Sequence, residues 1–170
     1  MSAAVPLQIR EATPDDAGGI VAVLNPIIAA GIYTVFDQPF DVETERAFIQ
    51  DFSPRGIFHV AVDRTSEAIV GFQNMEPIAS YTHAFDHVGS LGTYVDLTRR
   101  RQGIASRLFA ATFAAAIAKG YEKVFTFVRA DNPAALQVYL RQGFEVIGTA
   151  RGHAKLQGRY IDAAMIEKIL

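Results

Sequence analysis

From Gly92 to Leu108 the chain reads GTYVDLTRRRQGIASRL. An apolar strand pattern runs straight into three arginines, a glycine and the start of an alanine-rich helical pattern. The first N–H groups of a helix have no internal acceptor, and the helix dipole adds about half a positive charge there. A strand, a short basic glycine-containing turn and a helix therefore make a trap for an anion such as phosphate. Gly103 lets the backbone come close, Ala105 keeps the next approach uncluttered, and arginine adds charge and a forked donor. A solvated basic turn is the plainer reading of the same residues.

Composition sharpens the choice. The formal net charge is -2, so the arginine cluster is a local feature and not a general affinity for nucleic acid or anionic membrane. The chain holds no cysteine, which excludes disulfides, thiolate metal sites and a cysteine nucleophile. Half of its 170 residues are hydrophobic, enough for a single domain over residues 1–170 with a sizeable core. The N-terminal stretch MSAAVPLQIREATPDD carries no charged-then-apolar leader, and no apolar run is long enough to span a bilayer. The expectation is a soluble, cytoplasmic protein.

The remaining pattern is mixed. LQIREA alternates as a half-buried strand. Thr13 and Pro14 open a helix through IVAVLNPIIAAG, which Pro26 should kink or split. YTVFDQPF is a loop, and Asp41 caps a second helix, VETERAFIQDF. IFHVAVD, AIVGFQNME and SLGTYVDL read as strands, with His59 on a strand surface. The helix from Gly103 to Lys119 presents Ile104, Leu108, Ala111, Thr112 and Ala115 on one face. KVFTFVRA reads as a strand buried on both faces. Asn132 and Pro133 open the short helix AALQVYLRQ, ended by Gly143. FEVIGTA and YIDAAMIEKIL are the last strands, with ARGHAKLQGR as a loop between them. The sum is an α/β sheet with antiparallel and parallel parts.

The turn has neither G-x-x-x-x-G-K-[ST] nor G-x-G-x-x-G, so a P-loop or a Rossmann site is unsupported. Arg100-Arg101-Gln102-Gly103-Ile104-Ala105 instead matches Q/R-x-x-G-x-G/A. NPAALQVYLRQGF matches N-x-x-A-x-x-x-Y-x-x-x-G-F through Asn132, Ala135, Tyr139, Gly143 and Phe144. Both motifs, at this separation, resemble the GNAT superfamily of acyl-CoA-dependent N-acetyltransferases. GIYTVFDQPF, GTYVDLTRRRQGIA and GTARGHAKLQGRYIDAAMIEKIL resemble its phosphinothricin and methionine-sulfoximine acetyltransferase branch.

That resemblance implies a largely antiparallel central sheet flanked by helices, with a splayed pair of parallel strands at the coenzyme site. It implies acetyl-CoA as co-substrate, no metal, a small-molecule amine as acceptor, and a homodimer. The coenzyme pyrophosphate would sit on the turn from Arg100 to Ala105, with Asn132 and Tyr139 nearby and a backbone N–H near Tyr94 or Val95 stabilising the thioester oxygen. Tyr139 would protonate the departing thiolate. Tyr33, Thr34 and Phe36 would line the acceptor pocket. Ser90 falls where the branch often carries a catalytic glutamate, and Tyr139 where some members carry histidine. Glu76, at the end of GFQNME, is the candidate base, with His83, His87 and His153 as other titratable groups in the region. A free-amino-acid acceptor needs a cation for its carboxylate, and Arg64, Arg151 and Lys155 are the candidates. A protein N-terminus, a lysine or a polyamine is an alternative acceptor, and a coenzyme A sensor without turnover is an alternative function.

Overall fold

The computed structural model describes residues 6–170, so the first residues of the N-terminal reading lie outside it. The chain runs β1 (Leu7–Glu11), α1 (Ala17–Ala30), α2 (Val42–Gln50), β2 (Ile57–Asp63), β3 (Ala68–Pro77), β4 (Val88–Val95), α3 (Ile104–Ala118), β5 (Lys123–Arg129), α4 (Pro133–Arg141), β6 (Glu145–Leu156) and β7 (Arg159–Ile169). The seven strands form one sheet in the order β1-β2-β3-β4-β5-β7-β6. Neighbours are antiparallel except β4 and β5, which are parallel and pair only at Val88–Lys123 and Gly89–Val124. Among the described residues, no helix is long and apolar enough to cross a membrane.

Alternation along the strands distributes the core to both faces of the sheet. Phe58, Val60, Val62 and Phe72 pack with Ile20, Leu24 and Ile27 of α1 and Ile49 of α2. Met75, Leu91, Val124 and Val128 pack with Phe109 of α3 and Tyr139 of α4 on the other side. Thr13, as expected, caps the chain entering α1, but through a 3-10 turn, Pro14–Asp16, ahead of the helix.

Four expectations need correcting. Pro26 does not split α1, which continues for 14 residues. One lost backbone donor is outweighed by the apolar stripe on either side of it, from Ile20 to Ile28, which is buried against the sheet. His59 is not a surface residue; it faces α3, and its Nδ1 lies 3.0 Å from Thr112 Oγ1. Strand β5 is open on one face, with Phe127 42% exposed, because no helix covers that side. The stretch expected as a loop before β7 belongs to β6, which continues to Leu156 and turns at Gln157 and Gly158, both at positive φ. Two left-handed residues in succession suit the twist of a tight hairpin.

Candidate active site

The site begins with the divergence of β4 and β5. After Gly89 the two parallel strands part, β4 staying with β3 and β5 with β7. Thr126 spans the gap once, its hydroxyl donating to the Leu91 carbonyl at 3.0 Å. The cavity so opened is about 440 Å³ and is lined by Leu91, Thr93, Thr126, Ala135 and Tyr139, among others.

At one end of the opening lies the basic turn. Arg101 and Gly103 both adopt positive φ, 64° and 76°. Among the described residues, the N–H groups of Gln102, Gly103, Ile104 and Ala105 meet no protein acceptor. Successive free donors at a helix start, in a concave turn, suit a phosphate or pyrophosphate. The three arginines divide their work. Arg99 is structural: its Nη2 donates to Asp63 at 2.6 Å and its Nε to Gln102 at 3.1 Å. The bond to Asp63 holds that carboxyl below its ordinary range and ties the turn to β2. Arg100 lies over the Tyr33 ring at 4.0 Å, and Arg101 is exposed. Arg107 reaches back along the helix flank to the Leu7 carbonyl.

The register of β3 and β4 decides which backbone groups face the opening. Asp96 N donates to Val70 O, and Ile78 N donates to Val88 O. The pairing between them is uninterrupted, with Phe72 opposite Tyr94 and Gln73 opposite Thr93. In an antiparallel ladder hydrogen-bonded pairs alternate with non-bonded ones. Tyr94 therefore gives its N–H to β3, whereas Thr93 and Val95 turn theirs toward the gap. Of the two oxyanion donors expected from sequence, Val95 keeps a free N–H there.

Tyr139 enters from α4. Asn132 caps that helix, its Oδ1 accepting from Ala135 N at 3.1 Å. The Tyr139 ring is buried and meets Phe109 and Phe144 edge to face. Its oxygen lies 3.3 Å from Thr93 Oγ1 at the cavity wall. Burial raises the pKa of this phenol, and the hydroxyl and N–H of Thr93 pull it partly back. A phenol that stays protonated at neutral pH can serve as an acid.

A second cavity, of about 420 Å³, opens on the opposite face of the sheet and is lined by Phe36, Asn74, Glu76, Ser90 and Tyr94, among others. Glu76 is exposed at the end of β3 and sits directly across from Ser90. The loop between α1 and α2 covers both cavities. Tyr33 and Thr34 line the first and Phe36 the second. Phe36 stacks toward Tyr94, which stacks on Phe72 at 4.8 Å.

Two anchors hold this loop, and neither stands out in the sequence. Asn25 accepts from Phe40 N and donates to Phe40 O, both at 2.9 Å. Arg129, at 6% exposure, donates from Nη1 to the Gly31 and Thr34 carbonyls and from Nε and Nη2 to Asp131. An arginine ending an apolar strand is the only sequence signal for it. His153 also lines the first cavity, stacked on Phe127 at 4.4 Å. His83 and His87 line neither cavity; His83 pairs with Asp86 on the surface. Arg64, Arg151 and Lys155 line neither cavity as well.

The comparisons agree with this geometry. The family model described as "Acetyltransferase (GNAT) family" matches residues 27–144, more than half the chain. The chain is 26% identical to phosphinothricin N-acetyltransferase of Streptomyces coelicolor over 96% of both proteins. In structure it resembles the phosphinothricin acetyltransferase of Sinorhizobium meliloti in complex with acetyl-CoA, with TM-score 0.87, 18% identity and coverage of 96% of this chain and 88% of that one. It resembles equally the ribosomal-protein-alanine N-acetyltransferase of Brucella melitensis, with TM-score 0.88, 24% identity and coverage of 96% and 99%. Enzymes named for different acceptors thus share the backbone, and the fold alone does not choose among them. The splayed strands, the turn of free N–H groups and the family match agree: the chain belongs to the GNAT family of acetyltransferases.

Proposed function

We propose that this acetyltransferase transfers an acetyl group from acetyl-CoA to the primary amine of a small amino-acid-like substrate, of the phosphinothricin or methionine-sulfoximine type, by direct attack in a ternary complex. The observation that carries the reading is the pair of cavities meeting at β4. One is walled by Tyr139 and by Tyr33, whose ring lies under Arg100 of the donor-rich turn, and the other holds Glu76. The full-length relative named for phosphinothricin supports the acceptor class.

In this reading the N–H groups from Gln102 to Ala105, with Arg100, Arg101 and the capping residue Asn132, hold the coenzyme, and Tyr94 and Val95 flank the thioester. The Val95 N–H donates to the thioester oxygen as charge develops there. A free α-amine has a pKa of about 7.7–8.0 and must lose a proton to attack. Glu76, directly or through water, takes the proton from the attacking nitrogen. The carbon–nitrogen bond forms, the carbon–sulfur bond breaks, and sulfur leaves with the bonding pair. Tyr139 gives its hydrogen to that sulfur and is reprotonated from solvent, to which Glu76 returns its own proton. Tyr33, Thr34 and Phe36 shape the acceptor side. The face with exposed Phe127 and half-buried Phe125 and Met165 supports pairing with a second copy, and the enzyme works in the cytoplasm.

A second acceptor class has one observation in its favour. Among the described residues, Glu76 is the only charged one lining the second cavity. A carboxylate without a cation beside it suits an amine that bears no acid group, such as a polyamine or a lysine side chain. Thiol release from acetyl-CoA, followed over matched panels of amino acids and their decarboxylated amines, tests both. Turnover with amino acids alone supports the first reading, and turnover with the amines alone the second. Acetyl-CoA binding with no thiol release for any amine would reduce the chain to a coenzyme A sensor.

A further inference from the structure

Gln73 lies on β3, side chain toward α3 and α4, and is fully buried. It touches neither cavity. It sits directly opposite Thr93 on β4. The parity of the ladder makes this a non-hydrogen-bonded pair, the kind in which facing side chains come closest. Gln73 Nε2 donates to Thr93 Oγ1 at 2.7 Å. Thr93 Oγ1 in turn lies 3.3 Å from Tyr139 Oη. Three polar side chains from β3, β4 and α4 thus form a line that begins in the core and ends at the cavity wall.

The direction of the hydrogens along that line matters. Gln73 Oε1 has no partner among the described residues. Turning the amide over would leave a buried NH₂ group orphaned instead, and orphaned donors are rarer and costlier than under-satisfied carbonyl oxygens. The nitrogen-to-Thr93 arrangement is therefore the favoured one. A hydroxyl has one hydrogen and two lone pairs. The 3.3 Å contact can also be drawn with Tyr139 donating, but with Gln73 already donating to Thr93 Oγ1 that leaves the Thr93 hydrogen without an acceptor, so the hydrogen of Thr93 is the one that points at Tyr139. The Thr93 backbone N–H, turned away from β3, points to the same side. Tyr139 Oη then accepts on its Thr93 side, and its own hydrogen turns into the cavity.

We infer that Gln73 is a positioning residue for catalysis, which through Thr93 points the Tyr139 hydrogen at the leaving sulfur. The inference rests on the proposed role of Tyr139 as proton donor. Without Gln73, the Tyr139 hydrogen can turn inward to Thr93, and the phenol no longer faces the sulfur as a donor.

The test is a double-mutant cycle with thiol release as readout. Gln73→Met keeps length and burial but donates no hydrogen bond. Thr93→Val removes the relaying hydroxyl, and Thr93→Ser restores it. Gln73→Met and Thr93→Val should each lower kcat by about 10-fold or more, a share of the about 10²–10⁴-fold that a positioned acid contributes. KM for acetyl-CoA should not move, and Thr93→Ser should recover most of the rate. In a Tyr139→Phe background, Gln73→Met should cost nothing further, since there is no hydrogen left to direct. A Gln73→Met penalty that persists in full beside Tyr139→Phe overturns the inference, as does an unchanged kcat in both Gln73→Met and Thr93→Val while Tyr139→Phe is slow. Full activity in Tyr139→Phe alone overturns the proton-donor reading itself, and the inference with it. If Gln73→Met does not fold, Thr93→Val and Thr93→Ser in both backgrounds separate the same outcomes.

Discussion

Glu76 and Ser90 face each other across β3 and β4, on one face of the sheet and in one cavity. The resemblance to the phosphinothricin branch implies a catalytic glutamate at the position of Ser90. Here a carboxylate stands one strand away, over the same space. The register makes Glu76–Ser90 a hydrogen-bonded pair, whose Cα atoms lie about 5.5 Å apart. A glutamate side chain bridges that distance, so a carboxylate on either strand reaches the same space.

Removing the carboxylate should therefore slow turnover without weakening the coenzyme. Glu76→Gln is expected to lower kcat by about 10²-fold, the lower end of what general-base catalysis contributes. Adding Ser90→Glu to that variant should restore much of the rate. Initial rates of thiol release at saturating acetyl-CoA check both. Full activity in Glu76→Gln would remove this carboxylate from the reaction.

Gly103 separates two costs that usually come together. A Cβ built there meets nothing within 4 Å, so no protein atom would clash. Its φ of 76° is nevertheless strained for any L side chain. Gly103→Ala should then lose about 1–2 kcal/mol of coenzyme affinity or stability through strain alone. Gly103→Glu adds a negative charge facing the phosphates and should weaken acetyl-CoA binding by a further factor of about 10 or more. Titration calorimetry with acetyl-CoA separates the two, and equal affinity in the wild type and Gly103→Glu would move the cradle elsewhere.

Much of this was legible before the fold was in hand, because local chemistry carried it. The turn from Arg100 to Ala105 and the cap at Asn132 are short-range features, and β2 coincides with IFHVAVD residue for residue. What escaped reading depends on distant partners. His59 alternates with apolar neighbours as a surface residue would, but α3 covers that face and supplies Thr112. Arg129 looks like the polar end of a strand until the carbonyls of Gly31 and Thr34, some hundred positions earlier, come to rest on it. Gln73 reads as one polar residue in an apolar strand, and only the register against Thr93 gives it a partner. Sequence periodicity reports which face a residue takes, not what covers that face.

His59 makes stability sensitive to pH as it falls below the ordinary histidine range. Burial lowers its pKa, with Lys119 adding to the effect and Glu11 opposing it. The folded state thus binds a proton less readily than the unfolded state, whose histidine titrates near about 6.5. The stability that comes from a neutral His59 is fully present above about pH 6.5 and is lost as pH falls through the folded value. One such proton gives a slope of at most about 1.4 kcal/mol per pH unit. Urea unfolding between about pH 8 and pH 5 should show the decline, and His59→Gln should flatten it. An equal decline in His59→Gln would assign the effect to other groups.

Arg129 joins the end of β5 to the loop between α1 and α2, so its loss should be felt in stability and, on the proposed function, in acceptor binding together. Arg129→Met leaves the Gly31 and Thr34 carbonyls without their donor and Asp131 without its paired guanidinium. An orphaned buried group costs about 1–3 kcal/mol. For a chain of this size the middle of that range corresponds to a fall in Tm of about 4–8 °C. Arg129→Lys should not rescue it, because one ammonium cannot serve two carbonyls and both carboxylate oxygens from a single plane. The loop carrying Tyr33, Thr34 and Phe36 would lose its anchor at one end while Asn25 still holds Phe40 at the other. KM for the amine should rise in both variants, and acetyl-CoA affinity should fall less, since the loop held by Arg129 meets the basic turn only through Tyr33 under Arg100. A Tm and an acceptor KM that both match the wild type in Arg129→Met would mean that the loop is held by its own aromatic packing, Phe36 against Phe40 and Tyr94, and not by this arginine.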